Sequence, residues 1–247
     1  MTFSEIAGVL LLSAPFILLI IHEMRPKEEP RRSRGVFSQE NPIPLDPAAK
    51  ARLIKNIESI MQALRSRQYS MKDASFVANG ANTKDSATIG SEAYSLCQHC
   101  GIQGISVAAT FDALKEEFES VSNHTADAAG HVFRFGPSRY SIWINPKFND
   151  IPEVIGAILA HEVAHIYSME KRLHFKSSAR GDDHTASEQM TDLLAVALGM
   201  GKQLTRGAAY YREWTKTVEV GTVGYLSPEM ISFAYEYWKQ SSGTIFL

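Results

Sequence analysis

The sequence predicts an α+β fold, with a small, mainly antiparallel sheet packed on two central helices, further helices at the C-terminus and one transmembrane helix at the N-terminus. Three patterns lead to this prediction. Residues 151–169 are apolar on nearly every face, as a buried helix is. Residues 131–145 alternate apolar and polar side chains around a Gly-Pro turn, which is typical of a hairpin. Residues 227–229, Ser-Pro-Glu, are typical of a helix start.

Length and composition indicate one domain with short additions at its N-terminus. The chain has 247 residues, 45% of them hydrophobic, which is enough for a sizeable core. We expect an anchor at residues 1–24, a linker at residues 25–46 and a single domain at residues 47–247. The formal net charge of -2 gives no reason to expect a nucleic-acid partner.

The anchor is predicted from the run Phe3–Ile21, which is apolar apart from Ser4, Glu5 and Ser13. As a helix this run would be about 28 Å long, which is just enough to cross the hydrocarbon core of a bilayer. A cleaved signal peptide would carry basic residues before the run and a small-x-small site after it. Neither feature is present, so a membrane span is the better interpretation.

The flank that follows the span is basic and indicates its orientation. The basic residues there are Arg25, Lys27, Arg31, Arg32 and Arg34. Because a basic flank stays on the cytoplasmic side, we expect the domain to face the cytoplasm, with an exported domain as the alternative. Residues 26–47 are rich in proline, serine and charge without a helical or strand period, which is typical of a linker.

An amphipathic helix is predicted to begin at Pro47. Its apolar stripe consists of Leu53, Ile57, Ile60, Met61 and Leu64. Residues 69–90 are polar and irregular, and no element is predicted for them. Further along, residues 104–109 predict a strand, residues 110–120 a short helix, and residues 131–135 and 140–145 the two strands of the hairpin.

The only two cysteines, Cys97 and Cys100, form a C-x-x-C pair. Three interpretations are open: structural thiols, a disulfide or redox switch, and part of a metal site. A zinc knuckle needs two further ligands, and the chain has no second C-x-x-C. A redox pair usually stands at a helix start after a strand, whereas here a strand-like run follows the cysteines. Structural thiols are therefore the favoured interpretation.

The buried helix of residues 151–169 carries His161, Glu162 and His165 in the order H-E-x-x-H. Residues four apart lie one turn above each other, so the two imidazoles aim at one point, which suits a zinc ion. Glu162 stands at the rim of the same face, where it is the candidate general base. The pattern also arises by chance, but two histidines and a glutamate on such an apolar helix would be costly to bury without a partner.

A catalytic zinc needs a third protein ligand, and Glu188 is the best candidate for it. Glu188 lies in a second apolar-periodic stretch, residues 186–200, and Asp192 follows one turn later on the same face. Asp192 is positioned to accept the free ring N–H of a ligating histidine and so to fix its tautomer and orientation. The alternative for Glu188 is a capping box with Thr185, which would only stabilise a helix start.

These two motifs resemble those of the gluzincin zinc metallopeptidases of the thermolysin-like kind, which share an H-E-x-x-H helix and a second helix with E-x-x-x-D. Here they read His161-Glu162-Val163-Ala164-His165 and Glu188-Gln189-Met190-Thr191-Asp192. The resemblance covers residues 131–204. It implies zinc held by His161, His165 and Glu188, with Glu162 as the base. It also implies an edge strand before the first helix that pairs with an extended substrate, although a hairpin that merely covers the core is equally open.

The expected function is that of a membrane-anchored zinc metallopeptidase acting on a protein or peptide. A donor for the developing oxyanion is also needed. No spacing chooses among its candidates, which are Tyr167, His174, His184, Tyr210, Tyr211 and Tyr225. Two alternatives are a membrane-tethered zinc-binding regulatory module without catalysis and a thiol-based sensor that uses Cys97 and Cys100.

Overall fold

The computed structural model describes residues 44–69, 85–112, 128–173, 183–213 and 218–243. The predicted anchor, nearly all of the predicted linker and residues 113–120 of the predicted short helix lie outside these ranges. Within them, no helix is both long and apolar enough to cross a membrane. The described helices belong to one compact unit, within residues 34–211 and 220–247.

The fold is α+β, as predicted. The described helices are α1 (Pro47–Arg65), α2 (Ser86–His99), α3 (Pro152–Lys171), α4 (Asp183–Ala195), α5 (Gly201–Gly207) and α6 (Pro228–Gly243). The described strands are β1 (Ser106–Thr110), β2 (Gly130–Gly136), β3 (Arg139–Ile144), β4 (Ala209–Glu213) and β5 (Val218–Thr222). One sheet has the strand order β1-β3-β2, and β4 pairs with β5 in a second sheet.

The three-stranded sheet is mixed, so the prediction of a mainly antiparallel sheet is wrong. The hairpin of β2 and β3 is antiparallel as expected, with Pro137 and Ser138 between the paired ends. β1 instead runs parallel to β3, with Ser106 opposite Arg139. Turn residues indicate hairpins, whereas the direction of β1 depends on a long connection that carries no such signal. This order leaves β2 at one edge of the sheet.

Helix α3 is buried along most of its length, as its apolar pattern predicted. Pro152 opens the helix in its first turn, where a missing N–H leaves no intrahelical bond unmade. Arg172 follows the last residue in the left-handed conformation, with φ 52°, and ends the helix. Helix α3 is therefore a central helix of the core, and its residues Ile155, Leu159 and Val163 are completely buried.

The second central helix, predicted over residues 186–200, is divided in two. Helix α4 begins earlier, at Asp183, and is followed by a π-helical turn, Val196–Met200, in which Gly199 has φ 88°. The chain then continues as α5, which packs against α3. A Cβ added at Gly207 would lie 2.1 Å from the carbonyl oxygen of Glu153, so glycine is required for this close approach.

Helices α1, α2 and α6 complete the core. The predicted apolar stripe of α1 is buried, which confirms that helix. Ser227 caps α6 as predicted, because its hydroxyl accepts a hydrogen bond from Met230 N at 3.3 Å. Helix α2 was not predicted, although Ile89, Ala93, Leu96 and Cys97 are buried at helical spacing and were its available signal.

Candidate metal centre

Three side chains from α3 and α4 meet at one point. His161 and His165 lie one turn apart on α3, and Glu188 faces them from α4. The distance from Glu188 Oε2 to the Nε2 atom of each histidine is 3.0 Å, and the two Nε2 atoms are 3.1 Å apart. Among the residues that the structure describes, this is the group that could hold a metal ion.

The size of this triangle suits a zinc ion. Ligand atoms bound tetrahedrally at about 2.0–2.1 Å lie roughly 3.3 Å from one another. The observed separations of 3.0 to 3.1 Å are slightly shorter, so small side-chain rotations would admit an ion. Two imidazole nitrogens and one carboxylate oxygen are also a donor set that catalytic zinc uses, with one position left open.

Asp192 connects this group to a distant loop. Its side chain is 0% exposed, and His161 Nδ1–H donates to its Oδ1 at 2.7 Å. Its other oxygen, Oδ2, accepts from the backbone N–H groups of Tyr225 at 2.8 Å and Leu226 at 2.9 Å. The carboxylate therefore holds a proton on Nδ1 of His161, so that Nε2 is the nitrogen available to a metal at the meeting point.

Gly224 explains how the loop reaches Asp192. Its φ of +97° is in the region that favours glycine, and a Cβ there would lie 3.2 Å from Asp192 Oδ2. The two backbone donors of the loop were not predicted from the sequence. Gly224 just before Tyr225 was the only local sign of a special backbone conformation.

The charges around His161 favour a cation. Burial acts against the charged imidazole, but the hydrogen bonds to Asp192 and Glu188 outweigh it and hold the pKa of His161 well above its usual value. Burial also opposes ionisation of Glu188, yet its hydrogen bonds with His161 and His165 hold its pKa below the usual range. The same negative charge that retains a proton here would attract a metal ion, which must displace that proton to bind.

The candidate metal centre opens into a cleft of about 540 Å³. Glu162 is 5% exposed and lines this cleft together with His161, His165 and Glu188. The start of strand β2 forms one wall, and a Cβ added at Gly130 would lie 3.1 Å from Glu162 Oε1. The candidate base is thus next to both the metal ligands and an edge strand.

Tyr225 and His184 are the oxyanion-donor candidates that line the cleft. The ring of Tyr225 stacks on that of His161, with centroids 5.9 Å apart, and His184 lies edge-on to Tyr225 at 6.0 Å. Burial, followed by the negative charges of Glu188 and Glu162, raises the pKa of Tyr225. Its hydroxyl therefore stays protonated at neutral pH and can donate a hydrogen bond.

The other candidates for the oxyanion donor lie elsewhere. Tyr167 lines a different cavity and packs edge-on against Tyr69, with ring centroids 5.7 Å apart. Tyr210 is buried against Phe148, with centroids 5.2 Å apart. His174 and the side chain of Tyr211 are outside the described residues.

The capping-box alternative for Glu188 does not fit the observed helix. A box would need Thr185 just outside the first turn of α4, but that helix begins at Asp183. Thr185 therefore stands inside the helix, and the carboxylate of Glu188 contacts the two histidines instead.

Cys97 and Cys100 are free and completely buried at the C-terminal end of α2. The thiol of Cys100 donates to Met200 Sδ at 4.0 Å. Burial raises the pKa of Cys97 to about 12, which keeps its thiol protonated and unreactive at neutral pH. These environments agree with structural thiols, the favoured interpretation of the pair.

Comparison of the chain with protein-family models, with curated proteins and with solved structures finds no match in any of the three.

Proposed function

We propose that this protein is a membrane-anchored zinc metallopeptidase that hydrolyses peptide bonds. The observation that carries the proposal is the convergence of His161, His165 and Glu188 at one wall of a cleft that Glu162 also lines. A structural zinc site normally closes with four protein ligands, whereas three ligands beside an open cleft are typical of a catalytic one. The similarity of both helix motifs to those of the gluzincins supports the same assignment.

Zinc bound by these three side chains would polarise a carbonyl group and lower the pKa of water toward about 7. Glu162 then takes a proton from the attacking water and passes it to the leaving amine. Asp192 keeps His161 in the tautomer that presents Nε2 to the metal. Tyr225 is the leading candidate to donate a hydrogen bond to the developing oxyanion, with His184 as the alternative.

The substrate proposed for this cleft is an extended peptide. Strand β2 is at the edge of its sheet and lines the cleft through Gly130, His131 and Val132. The outer edge of such a strand offers N–H and C=O groups that can pair with a peptide backbone. Among the residues that the structure describes, the lining around the metal ligands is largely apolar, with Ala157, Ile158 and other small or aliphatic residues, and it includes no Lys or Arg.

The anchor and the orientation of the domain are also proposals. They rest on the apolar run Phe3–Ile21 and on the basic flank that follows it. A peptidase held in this way would act on protein or peptide substrates at the cytoplasmic face of a membrane.

Two substitutions in the full-length chain test the roles of the glutamates. Glu188→Ala should lower zinc affinity by well over the roughly 10- to 100-fold that follows loss of a residue that only orients a ligand. Glu162→Gln should leave zinc binding nearly intact and lower peptide hydrolysis by roughly 100- to 10,000-fold. Glu153→Gln, an exposed glutamate on the same helix, is the matched control and should change neither quantity.

Zinc affinity is measured by competition with a chelator, and hydrolysis with a quenched fluorescent peptide mixture. Equal loss of zinc affinity in both glutamate variants would show that the roles of metal ligand and general base are assigned to the wrong residues. Tight zinc binding by the parent chain without any hydrolysis would favour the regulatory zinc-binding module.

A further inference from the structure

The π-helical turn after α4 has an unusual set of hydrogen bonds. Gly199, with φ 88°, breaks the regular path of the helix. The carbonyl oxygen just before it, on Leu198, accepts from Tyr69 Oη at 3.0 Å and from His99 Nε2–H at 3.2 Å. A backbone acceptor that leaves the regular helical ladder needs other donors, and here two side chains from different parts of the chain supply them.

The same turn has a third contact from this region. Cys100, the residue after His99, donates its thiol hydrogen to the sulfur of Met200 at 4.0 Å. Two members of the segment Cys97-Gln98-His99-Cys100 therefore hold the turn at both sides of Gly199. This gives the C-x-x-C segment a structural role that needs neither a disulfide nor a metal.

Neither Tyr69 nor His99 lines the proposed catalytic cleft. Both line a second cavity of about 660 Å³, together with residues from the C-terminal ends of α1, α2 and α3. Within the described part of the chain, the two cavities have no lining residue in common. Tyr69 also packs edge-on against Tyr167 of α3, so Tyr69→Phe, which keeps the ring and removes only the hydroxyl, isolates the contribution of the hydrogen bond to Leu198.

The backbone at Leu198 leads directly to the metal ligands. Leu198 follows Asp192 by six residues, the last three of them in the π-helical turn, and Glu188 lies one turn before Asp192. A helix transmits a shift at its end to the side chains that it carries. Contacts of 2.7 to 3.0 Å made by Asp192 and Glu188 with His161 would be lost after a small shift, because such sites tolerate only about 0.5 Å of error.

We propose that Tyr69 and His99 are positioning residues for the metal ligands, and that they set the place of α4 by holding the carbonyl group of Leu198. The role rests on the proposed zinc site. Its mechanism is geometric, since the two donors fix the π-helical turn that directly follows α4, the helix that presents Glu188 and Asp192 to α3.

The test uses the full-length chain and four variants. Tyr69→Phe and His99→Leu each remove one donor to Leu198, whereas His99→Gln keeps an amide N–H near the position of Nε2. Ile89→Val trims a completely buried side chain of α2 that does not hydrogen-bond to the turn, and so controls for general destabilisation. Zinc affinity is measured by chelator competition. The resonance of the His161 Nδ1 proton, observed by NMR in metal-free protein, reports its hydrogen bond to Asp192.

We expect Tyr69→Phe and His99→Leu to weaken zinc binding by roughly 2- to 30-fold, the range typical of coupling through the protein. Both should also shift the His161 proton resonance. His99→Gln and Ile89→Val should match the parent chain in both measurements.

Parent-like zinc affinity and proton resonance in Tyr69→Phe and His99→Leu would overturn the positioning role, as would equal losses in Ile89→Val. If His99→Leu does not fold, Tyr69→Phe alone decides the outcome. If the parent chain binds no zinc, the proposed function fails, and the proton resonance still tests whether the two donors position α4.

Discussion

Asp192→Asn tests the arrangement of the candidate metal centre most directly. The buried carboxylate faces three donors, namely His161 Nδ1–H and the backbone N–H groups of Tyr225 and Leu226. Asparagine replaces one of the two oxygen acceptors by an NH₂ donor. Whichever way the amide turns, at least one of the three donors then faces another donor.

The two orientations of the amide differ in cost. A hydrogen bond to a charged group contributes about 1.5–3 kcal/mol. Turning NH₂ toward the loop loses two such bonds, whereas turning it toward His161 loses one, so we expect the second orientation. His161 can then regain a bond only by accepting one at Nδ1, which leaves its ring proton on Nε2, the atom that faces the metal position. The substitution should therefore lower the free energy of unfolding by about 1.5–3 kcal/mol and weaken zinc binding by roughly 10- to 100-fold.

Urea unfolding with a chelator present measures the first quantity, and a zinc titration measures the second. Asp112→Asn, at an exposed aspartate just after β1, is the control and should change neither value by more than about 0.5 kcal/mol. Zinc affinity of Asp192→Asn equal to that of the parent chain would refute the assigned role of Asp192.

Three further predictions concern the rest of the chain. Cys97 and Cys100 should react slowly with a thiol reagent at neutral pH in the folded protein and quickly after unfolding. The reason is that burial raises the pKa of both thiols. Fast labelling of the folded protein would contradict this prediction. Gly207→Ala should destabilise the fold by about 1–3 kcal/mol in thermal unfolding, because its Cβ would overlap a backbone carbonyl of α3. Gly90→Ala in α2, whose Cβ would make only ordinary contacts with the backbone of β1, should instead be neutral or stabilising by up to about 1 kcal/mol. Equal effects of the two substitutions would show that close approach is not the cause. A reporter fused after Leu247 should read as cytoplasmic because the predicted span precedes a basic flank, and an exported readout would reverse the proposed orientation.

Among the described residues, several predictions from local spacing are confirmed, whereas the direction of one strand, which depends on distant packing, was predicted wrongly. The helix at Pro47, the hairpin and the buried helix around His161 follow from periodicities of a few residues. The direction of β1 depends on a long connection, so the sequence pattern could not reveal it. Helix α2 escaped prediction because Thr88, Gly90 and neighbouring serines have weak helical preference, and only its packing shows why it forms.

In the candidate metal centre, too, the features set by local spacing were predictable and those set by the tertiary fold were not. His161, Glu162 and His165 are spaced within one helix, so their common face was predictable. The two backbone donors to Asp192 belong to a loop whose approach depends on the tertiary fold. The choice of Tyr225 over Tyr167 and Tyr210 likewise needed the positions of all three rings.

The hydrogen bonds of Asp192 also impose an order on the assembly of the centre during translation. Leu226 is synthesised after the two histidines, Glu188 and Asp192, and it follows Asp192 by 34 residues. At a synthesis rate of about 5–20 residues per second, this interval lasts roughly 2–7 s. During it the nascent chain has every proposed ligand but lacks the two amides that orient the carboxylate beneath His161. The centre is therefore completely organised only late in the synthesis of the chain.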